Sequence, residues 1–196
     1  MKSTHSFGIC FATWFLSLAA LTGARAEDFK PAPEYISLFN GHDLTGWGYL
    51  TNTFDGKTTS SDGRYTATNG LLVVNPYRPE AGPHLRQLWT TRAFRKDFIL
   101  KLEFRASVNA DSGIFIRQPQ LQCRDYLVAG PYKDLKKYRP QDWNEIVVIV
   151  TNGVAHGLCN GEVLEAALKV PETGPIGLEA DRGQMEYRRI RLKELP

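Results

Sequence analysis

Apolar and polar side chains alternate along most of the chain. Between residues 98 and 105, Phe or Leu occupies every second position, and three of the four intervening residues are charged. This period of two is typical of a strand that buries one face. The segment 111–128, DSGIFIRQPQLQCRDYLV, contains two shorter alternating runs separated by a Gln-Pro pair, which we interpret as two strands of one sheet. The alternation predicts that the following side chains are buried between two sheets: Phe98, Leu100, Leu102, Phe104, Ile114, Ile116, Val148 and Ile190.

Turn-forming residues divide this pattern into short strands. Asn-Gly pairs, which favour tight hairpins, occur at 69–70, 152–153 and 160–161. The segment 163–168 could form one helical turn before Pro171, and no other amphipathic run has the length of a helix. About ten short strands with regularly spaced turns predict an all-β fold, an antiparallel two-sheet β-sandwich.

The first 26 residues have the pattern of a secretory signal peptide. Lys2 and His5 precede an apolar run at 7–21, and Ala24-Arg25-Ala26 supplies a small-x-small cleavage site. The apolar run is shorter than the roughly 20 residues that span a membrane, and no later segment is long enough. We expect cleavage near Ala26 and export to the periplasm or the extracellular space, without a membrane span.

The remaining chain suits one domain. Residues 27–34 contain mainly Pro, Ala and charged side chains and are expected to form a flexible tether. Residues 35–196 are enough for a single domain with a sizeable core. Leu44 and Trp47, surrounded by turn residues, are expected to close one end of that core.

Charge and cysteine content limit the classes of function. The chain has 24 basic and 21 acidic residues, and loss of Lys2 and Arg25 with the signal peptide leaves 22 basic ones. A nearly neutral domain lacks the basic surface of a nucleic-acid-binding protein, so no nucleic-acid partner is expected. Cys123 and Cys159 remain after export, and both one disulfide and two buried free thiols fit their positions. The sequence leaves the oligomeric state open.

Five motifs in a fixed order carry a family resemblance. They are SLFNGHDLTGW near the start, DSGIFIR, Asp142-Trp143-Asn144, Asn160-Gly161-Glu162, and the closing GPIGLEADRGQMEYRRIRLKEL. Over Tyr35 to Leu195 the chain resembles the 3-keto-disaccharide hydrolase domain family, which is similar to 3-keto-glucoside lyases and hydratases. The resemblance implies a jelly-roll sandwich related to concanavalin A and laminin-G-like lectins. It also implies a carbohydrate substrate oxidised to a ketone at C3.

The closing motif departs from the family pattern. Many members have Gln, Asp and His after the Gly-Leu pair, whereas this chain has Glu179, Ala180, Asp181 and Arg182. A catalytic role for that histidine therefore does not transfer to this sequence.

A ketone at C3 acidifies the proton on C2, so the group on C1 can leave by elimination, and water can then add to the enone. This route needs a base near C2, a cation or hydrogen-bond donor at the ketone oxygen, and an acid at the leaving oxygen. It does not need the two carboxylates of an ordinary glycosidase at a fixed separation.

The candidates for these roles come from loops and outward-facing strand positions. The catalytic candidates are Asp125, Glu179, Asp181 and His84, and the substrate-binding candidates are Glu103, Arg117, Arg124, Trp143 and Arg182. We expect one concave pocket with an arginine at the ketone oxygen and a carboxylate as base, bordered by Glu103, Arg117, Arg124, Asp125, Glu179 and Asp181.

Each candidate also has a structural interpretation. Glu103 and Arg117 could form a solvated cross-strand ion pair, and Arg124 and Asp125 a structural pair at a strand end. Trp143 suits the core better than a sugar-stacking position, and Trp89 is ambiguous in the same way. His156 is an acid/base candidate by residue type, but its place beside a hairpin favours solvent exposure.

The sequence requires no cofactor. A calcium ion is possible because related lectin-like sandwiches sometimes hold one, but scattered carboxylates identify no site, and the metal stays unassigned. Two further functions remain as alternatives to the enzyme, namely a lectin-like module that binds glycan without turnover and an interaction domain with a large apolar surface.

Overall fold

A computed structural model describes residues 29–79, 82–128 and 130–196, which form two antiparallel β-sheets around one core. The expected signal peptide and the first two residues of the expected tether lie outside the described residues. Within the described part, no helix is long and apolar enough to cross a membrane.

The described residues contain fourteen strands. In chain order they are β1 (Ile36–Ser37), β2 (Trp47–Tyr49), β3 (Asn52–Thr53), β4 (Tyr65–Thr68), β5 (Leu71–Val74), β6 (Arg86–Thr90), β7 (Phe98–Ala106), β8 (Gly113–Ile116), β9 (Gln120–Gln122), β10 (Asn144–Thr151), β11 (Val154–Cys159), β12 (Glu162–Lys169), β13 (Ile176–Ala180) and β14 (Met185–Glu194). A short 3-10 helix, Pro131–Asp134, lies between β9 and β10.

The strands divide into an eight-stranded and a six-stranded sheet. The larger sheet has the order β12-β11-β10-β7-β14-β5-β4, with β1 paired to β14. The smaller sheet has the order β3-β2-β6-β13-β8-β9. The antiparallel two-sheet sandwich predicted from the sequence is confirmed.

Alternation along the central strands builds the core. Residues of β7 are alternately buried and half-buried, and its neighbours β10 and β14 show nearly the same alternation. Register pairs Leu100 with Val148 and Leu102 with Ile146, so apolar side chains of adjacent strands lie together. All eight side chains predicted to be buried are fully enclosed, as are Leu44 and Trp47.

The structure resolves two alternatives left open above. The segment 163–168 lies inside strand β12 and does not form a helical turn. Cys123 and Cys159 are buried free thiols, not a disulfide.

Strand β13 positions the candidate site. Ile176, Leu178 and Ala180 belong to the core cluster, whereas Gly177 and Glu179 alternate with them and point to the other side of the sheet. We call this side of the six-stranded sheet the open face. Besides Gly177 and Glu179 it carries Gln87, Trp89, Phe115 and Gln120.

Candidate active site on the six-stranded sheet

Glu179, the penultimate residue of β13, lies on the open face and is only 8% exposed. Strand β6 places Gln87 opposite Glu179, and the Gln87 Nε2 donates to Glu179 Oε1 at 3.2 Å. On the other side, Gln120 Nε2 donates to Glu179 Oε2. Two strands therefore hold the carboxylate from both sides, and each oxygen keeps a lone pair for a further partner.

A glycine in β8 makes the second of these contacts possible. Strand β8 lies between Glu179 on β13 and Gln120 on β9. A Cβ atom at Gly113 would lie 2.0 Å from the Gln120 Nε2, so any larger residue would displace the amide. Gly113 thus leaves the space through which Gln120 reaches Glu179.

The surroundings of Glu179 raise its pKa above the ordinary value. Burial is the largest cause, and the nearby charges of Asp181 and Asp111 act in the same direction. The hydrogen bonds from Gln87 and Gln120 oppose this shift because they stabilise the charged form. A carboxyl group with a raised pKa in a partly enclosed position has the properties of a general base or acid.

His84 and Asp181 form a pair beside Glu179. The His84 Nδ1 lies 3.4 Å from Asp181 Oδ1, and the histidine side chain is half exposed. Arg64, which is almost fully buried, donates from Nη2 to the backbone oxygens of both residues at 3.1 Å each. Arg64 therefore holds the backbone of both residues in place, while the His84 imidazole remains accessible to solvent.

Asp111 gathers two guanidinium groups at the same end of β13. Its Oδ2 lies 3.1 Å from Arg124 Nη2 and 3.7 Å from Arg182 Nη2. Asp111 and Arg182 also form an isolated β-bridge, and Arg182 Nε donates to the backbone oxygen of Asn109 at 3.0 Å. Asp111 therefore faces two cations at the end of the strand that also carries the Glu179 carboxylate.

Five of the nine candidates from the sequence lie in this group, namely Glu179, Asp181, His84, Arg124 and Arg182. The sequence reasoning missed Asp111, Gln87 and Gln120. Asp111 begins the DSGIFIR motif, which was a usable signal, whereas the two glutamines lack a charge that would single them out.

Aromatic side chains extend the open face along the strands. Register aligns Trp89 on β6, Gly177 on β13 and Phe115 on β8 in one row. The two rings have centroids 5.2 Å apart, and both residues are half-buried. A Cβ atom at Gly177 would lie 2.7 Å from two carbons of the indole, so the indole lies across this glycine. Trp89 is thus a surface residue of the open face and not part of the core cluster.

Two other candidates are structural groups inside the sandwich. Asp125 is 3% exposed, and its carboxylate accepts hydrogen bonds from the Asn109 backbone nitrogen at 3.0 Å and the Tyr138 hydroxyl at 3.3 Å. Asp125 therefore holds a turn, and no ion pair joins it to Arg124, which instead faces Asp111.

Arg117 is also buried, at 2% exposure. Its guanidinium donates to the backbone oxygens of Pro171, Arg95 and Lys96 at 2.6 to 3.0 Å and lies over the Phe98 ring. The expectation that Arg117 faces a groove was wrong, because the residue follows β8 with φ of 63° and its side chain turns inward.

Glu103 and Trp143 lie on the other sheet. The Glu103 carboxylate pairs with Arg188 at 2.7 Å and Arg189 at 2.9 Å. The Arg188 guanidinium carbon also lies over the Trp143 ring, 3.8 Å from the ring centroid. Trp143 is half-buried there and not in the core. The single pocket expected from the sequence is therefore wrong, because Glu103, Arg117 and Asp125 do not lie with Glu179.

Neither a cluster of metal ligands nor His156 forms a second centre in the described part of the chain. Among the residues that the structure describes, no three His, Cys, Asp or Glu side chains are grouped to hold a metal ion. His156 is half-buried on β11, with Nδ1 3.2 Å from the Ala166 backbone oxygen.

The family follows from the sequence comparison. The sequence model of the 3-keto-alpha-glucoside-1,2-lyase-like domain matches residues 34–193. The chain belongs to this family. The resemblance identified from the five motifs is thereby confirmed, and membership of this family makes the chain a carbohydrate-active protein. A comparison with curated protein sequences found no match.

Solved structures share the fold of this lyase-like domain. A protein of Parabacteroides distasonis ATCC 8503 described as a glycosyl hydrolase superposes with a TM-score of 0.66 at 17% identity, covering 86% of this chain and 99% of that one. A second structure of the same description and organism gives 0.59 at 16% identity, covering 82% and 99%. A glycosidic hydrolase gives 0.52 at 12% identity, covering 83% and 94%. At such low identity these similarities concern the fold.

Proposed function

We propose that this chain is an exported enzyme that cleaves 3-keto-glycosides, and that Glu179 is the base that removes the C2 proton. The observation that carries the proposal is the environment of Glu179, a partly enclosed carboxylate with a raised pKa that two glutamines hold in place. Family membership supports the substrate class, since the family is named for a 1,2-lyase of 3-keto-alpha-glucosides, an enzyme that eliminates a group across C1 and C2.

The reaction starts with proton abstraction. A Glu179 oxygen takes the proton from C2, and the electron pair moves into a C1–C2 double bond as the C1–O bond to the aglycone breaks. The aglycone oxygen gains a proton and leaves as an alcohol. Water then adds to C1 of the enone while a proton returns to C2, so the net result is hydrolysis.

The neighbouring groups suit the other two roles. The positive charge at Arg124 and Arg182 stabilises charge that develops on the C3 oxygen as the C2 proton departs. The exposed imidazole of His84, oriented by Asp181, gives a proton to the leaving oxygen. These groups surround the same end of β13 as Glu179, which favours a shared substrate.

The tuned carboxyl group favours an enzyme over a glycan-binding module. A lectin-like site needs hydrogen-bond partners and an apolar surface, but it needs no carboxyl group whose pKa is raised by burial and, to a lesser extent, by two neighbouring carboxylates. The signal-peptide pattern of residues 1–26 supports export.

Incubation of the mature protein with 3-keto-trehalose in D2O tests the proposal, with trehalose as the matched unoxidised sugar. We expect release of glucose from the 3-keto sugar only, and deuterium at C2 of the 3-keto product above the level in enzyme-free buffer. Loss of the base typically lowers the rate roughly 100- to 10,000-fold, and Glu179→Gln should fall within that range.

Glu186→Gln is the matched control, because Glu186 lies on the outer side of the other sheet, paired with Arg105. We expect wild-type turnover from this variant. Binding of the 3-keto sugar without release of glucose would support the lectin-like alternative and contradict the enzyme. Cleavage of trehalose at an equal rate would contradict the role of the ketone.

A further inference from the structure

The aromatic row beside Glu179 has no role in the chemistry proposed above. Trp89 and Phe115 flank Gly177 on the open face, and both residues are partly exposed to solvent. Partly exposed aromatic rings on an otherwise polar sheet surface are a common feature of ligand-binding sites. We call these two rings together with Gly177 the aromatic platform.

The position of the platform relative to Glu179 is fixed by the strand repeat. Gly177 and Glu179 are two residues apart on β13 and face the same side. Two residues of a strand span about 6.6 Å. This distance is comparable to the length of one hexose unit, so a disaccharide with one ring over Glu179 can place its second ring over the platform.

The rim of the platform is polar and rich in amides. Gln120 lies opposite Phe115 in the register of β8 and β9, and Gln122 Nε2 approaches Gln120 Oε1 at 3.4 Å. Gln87 is two residues from Trp89 on β6. An apolar ring face bordered by amide groups matches a pyranose, which presents C–H groups on its face and hydroxyl groups around its edge.

We propose that the aromatic platform is the subsite for the aglycone, and that it accepts a second pyranose ring. This inference rests on the proposed function, because Glu179 defines the position of the 3-keto ring. It adds that the platform discriminates between leaving groups and favours a second pyranose ring over a small alkyl aglycone. Trp89 is then a residue that determines specificity through the leaving group.

Gly177 provides an independent way to disturb the platform. A methyl group at this position would lie 2.7 Å from the indole and 3.1 Å from the Phe115 Cβ, so Gly177→Ala must displace the rings while leaving both in the sequence. Trp89→Ala removes the indole, whereas Trp89→Phe keeps an aromatic face. Trp143→Ala is the matched control, because Trp143 is a half-buried tryptophan on the outer side of the other sheet.

The experiment compares kcat/KM on 3-keto-trehalose and on methyl 3-keto-glucoside for wild type and these four variants. Removal of one aromatic anchor typically costs about tenfold in affinity, and we expect Trp89→Ala and Gly177→Ala to lose about tenfold on the disaccharide, mainly in KM. Their values on the methyl glycoside should stay within about twofold of wild type. Trp89→Phe should retain most activity, and Trp143→Ala should match wild type on both substrates.

Equal losses on both substrates would overturn the proposal, because Trp89 would then serve folding or the chemistry itself. No loss on either substrate would also overturn it. Thermal melting of each variant separates misfolding from lost binding. Calorimetric titration with trehalose provides a readout without turnover. If wild type cleaves neither substrate, the proposed function fails, and binding of trehalose that depends on Trp89 but not on Trp143 still supports the platform. Binding that is the same in both variants contradicts it.

Discussion

At the scale of single residues, Glu179 shows how a folded protein accommodates a carboxylate that burial disfavours. Burial and two neighbouring carboxylates raise its pKa, and the two glutamine amides oppose this shift. The charged form is therefore less stable in the folded protein than in the unfolded chain. This loss of stability fits the proposed role of Glu179 as the base, because active sites often lower the stability of the fold.

This cost predicts a specific dependence of stability on pH. Between the ordinary carboxyl pKa and the raised pKa of Glu179, the folded protein holds a proton that the unfolded chain has lost. The contribution of Glu179 to the free energy of unfolding is therefore fully present at low pH and is lost as pH rises through its folded pKa. The Glu179→Gln variant has no such group, so its stability relative to wild type should increase with pH across this window.

Urea denaturation of both proteins at a series of pH values measures this difference. Glu186→Gln again serves as control, because Glu186 lies outside the site. A stability difference between Glu179→Gln and wild type that is constant with pH, or that decreases as pH rises, would contradict a raised pKa at Glu179.

The chemistry of single residues also explains which residues of the candidate site could not be predicted from the sequence. His84, Asp181 and Arg182 were found because they can titrate or carry charge. Gln87 and Gln120 do neither, and their role depends on contacts across strands that are more than 50 residues distant in the chain from Glu179. Asp125 and Arg117 carry charge but satisfy buried backbone groups, a use that residue type alone does not reveal.

At the scale of strands, the alternation of apolar and polar residues predicts which side chains point away from the core. It does not predict on which of the two sheets they lie. Glu103 on β7 and Glu179 on β13 both point away from the core, yet β7 belongs to the larger sheet and β13 to the smaller. A sandwich has two outer faces, and the pattern along one strand does not say to which sheet that strand belongs. The core could therefore be predicted residue by residue, whereas the pocket could not.

Strand β8 contributes a glycine, Gly113, whose missing side chain leaves room for the Gln120 amide. Gly113→Ala places a methyl group where the Gln120 amide crosses, so the hydrogen bond to Glu179 must break. Loss of a donor to the carboxylate raises the Glu179 pKa further. We expect the acidic limb of the kcat profile to move to higher pH, with turnover at neutral pH reduced by roughly tenfold or less.

A double-mutant cycle distinguishes this mechanism from general damage to the sheet. In a Gln120→Ala background there is no amide to displace, so Gly113→Ala should have little additional effect on the pH profile. Additive effects of the two substitutions would show that Gly113 acts independently of Gln120. An unchanged pH profile in Gly113→Ala would show that Gln120 does not control the protonation of Glu179.

At the scale of the whole molecule, the burial of Cys123 and Cys159 in the core is relevant to the proposed export into an oxidising compartment. Both thiols are enclosed in the sandwich, and burial raises the pKa of Cys159 to about 12 and that of Cys123 well above its usual value. Thiolate is the form that attacks a disulfide or an oxidant. The folded core therefore protects both thiols in an oxidising compartment, where exposed cysteines would pair.

This protection predicts that the stability of the mature protein does not depend on reductant. In native buffer near pH 8, a thiol reagent such as 5,5′-dithiobis(2-nitrobenzoic acid) should react slowly, because neither sulfur is accessible and almost none is thiolate. In denaturant without reductant, both thiols of the mature chain should react with the reagent at once. In a separate thermal melt, Tm should be the same with and without reductant. A denatured protein that shows free thiols only after reduction would instead contain a disulfide, and the core around Cys123 and Cys159 would then differ from the one described here.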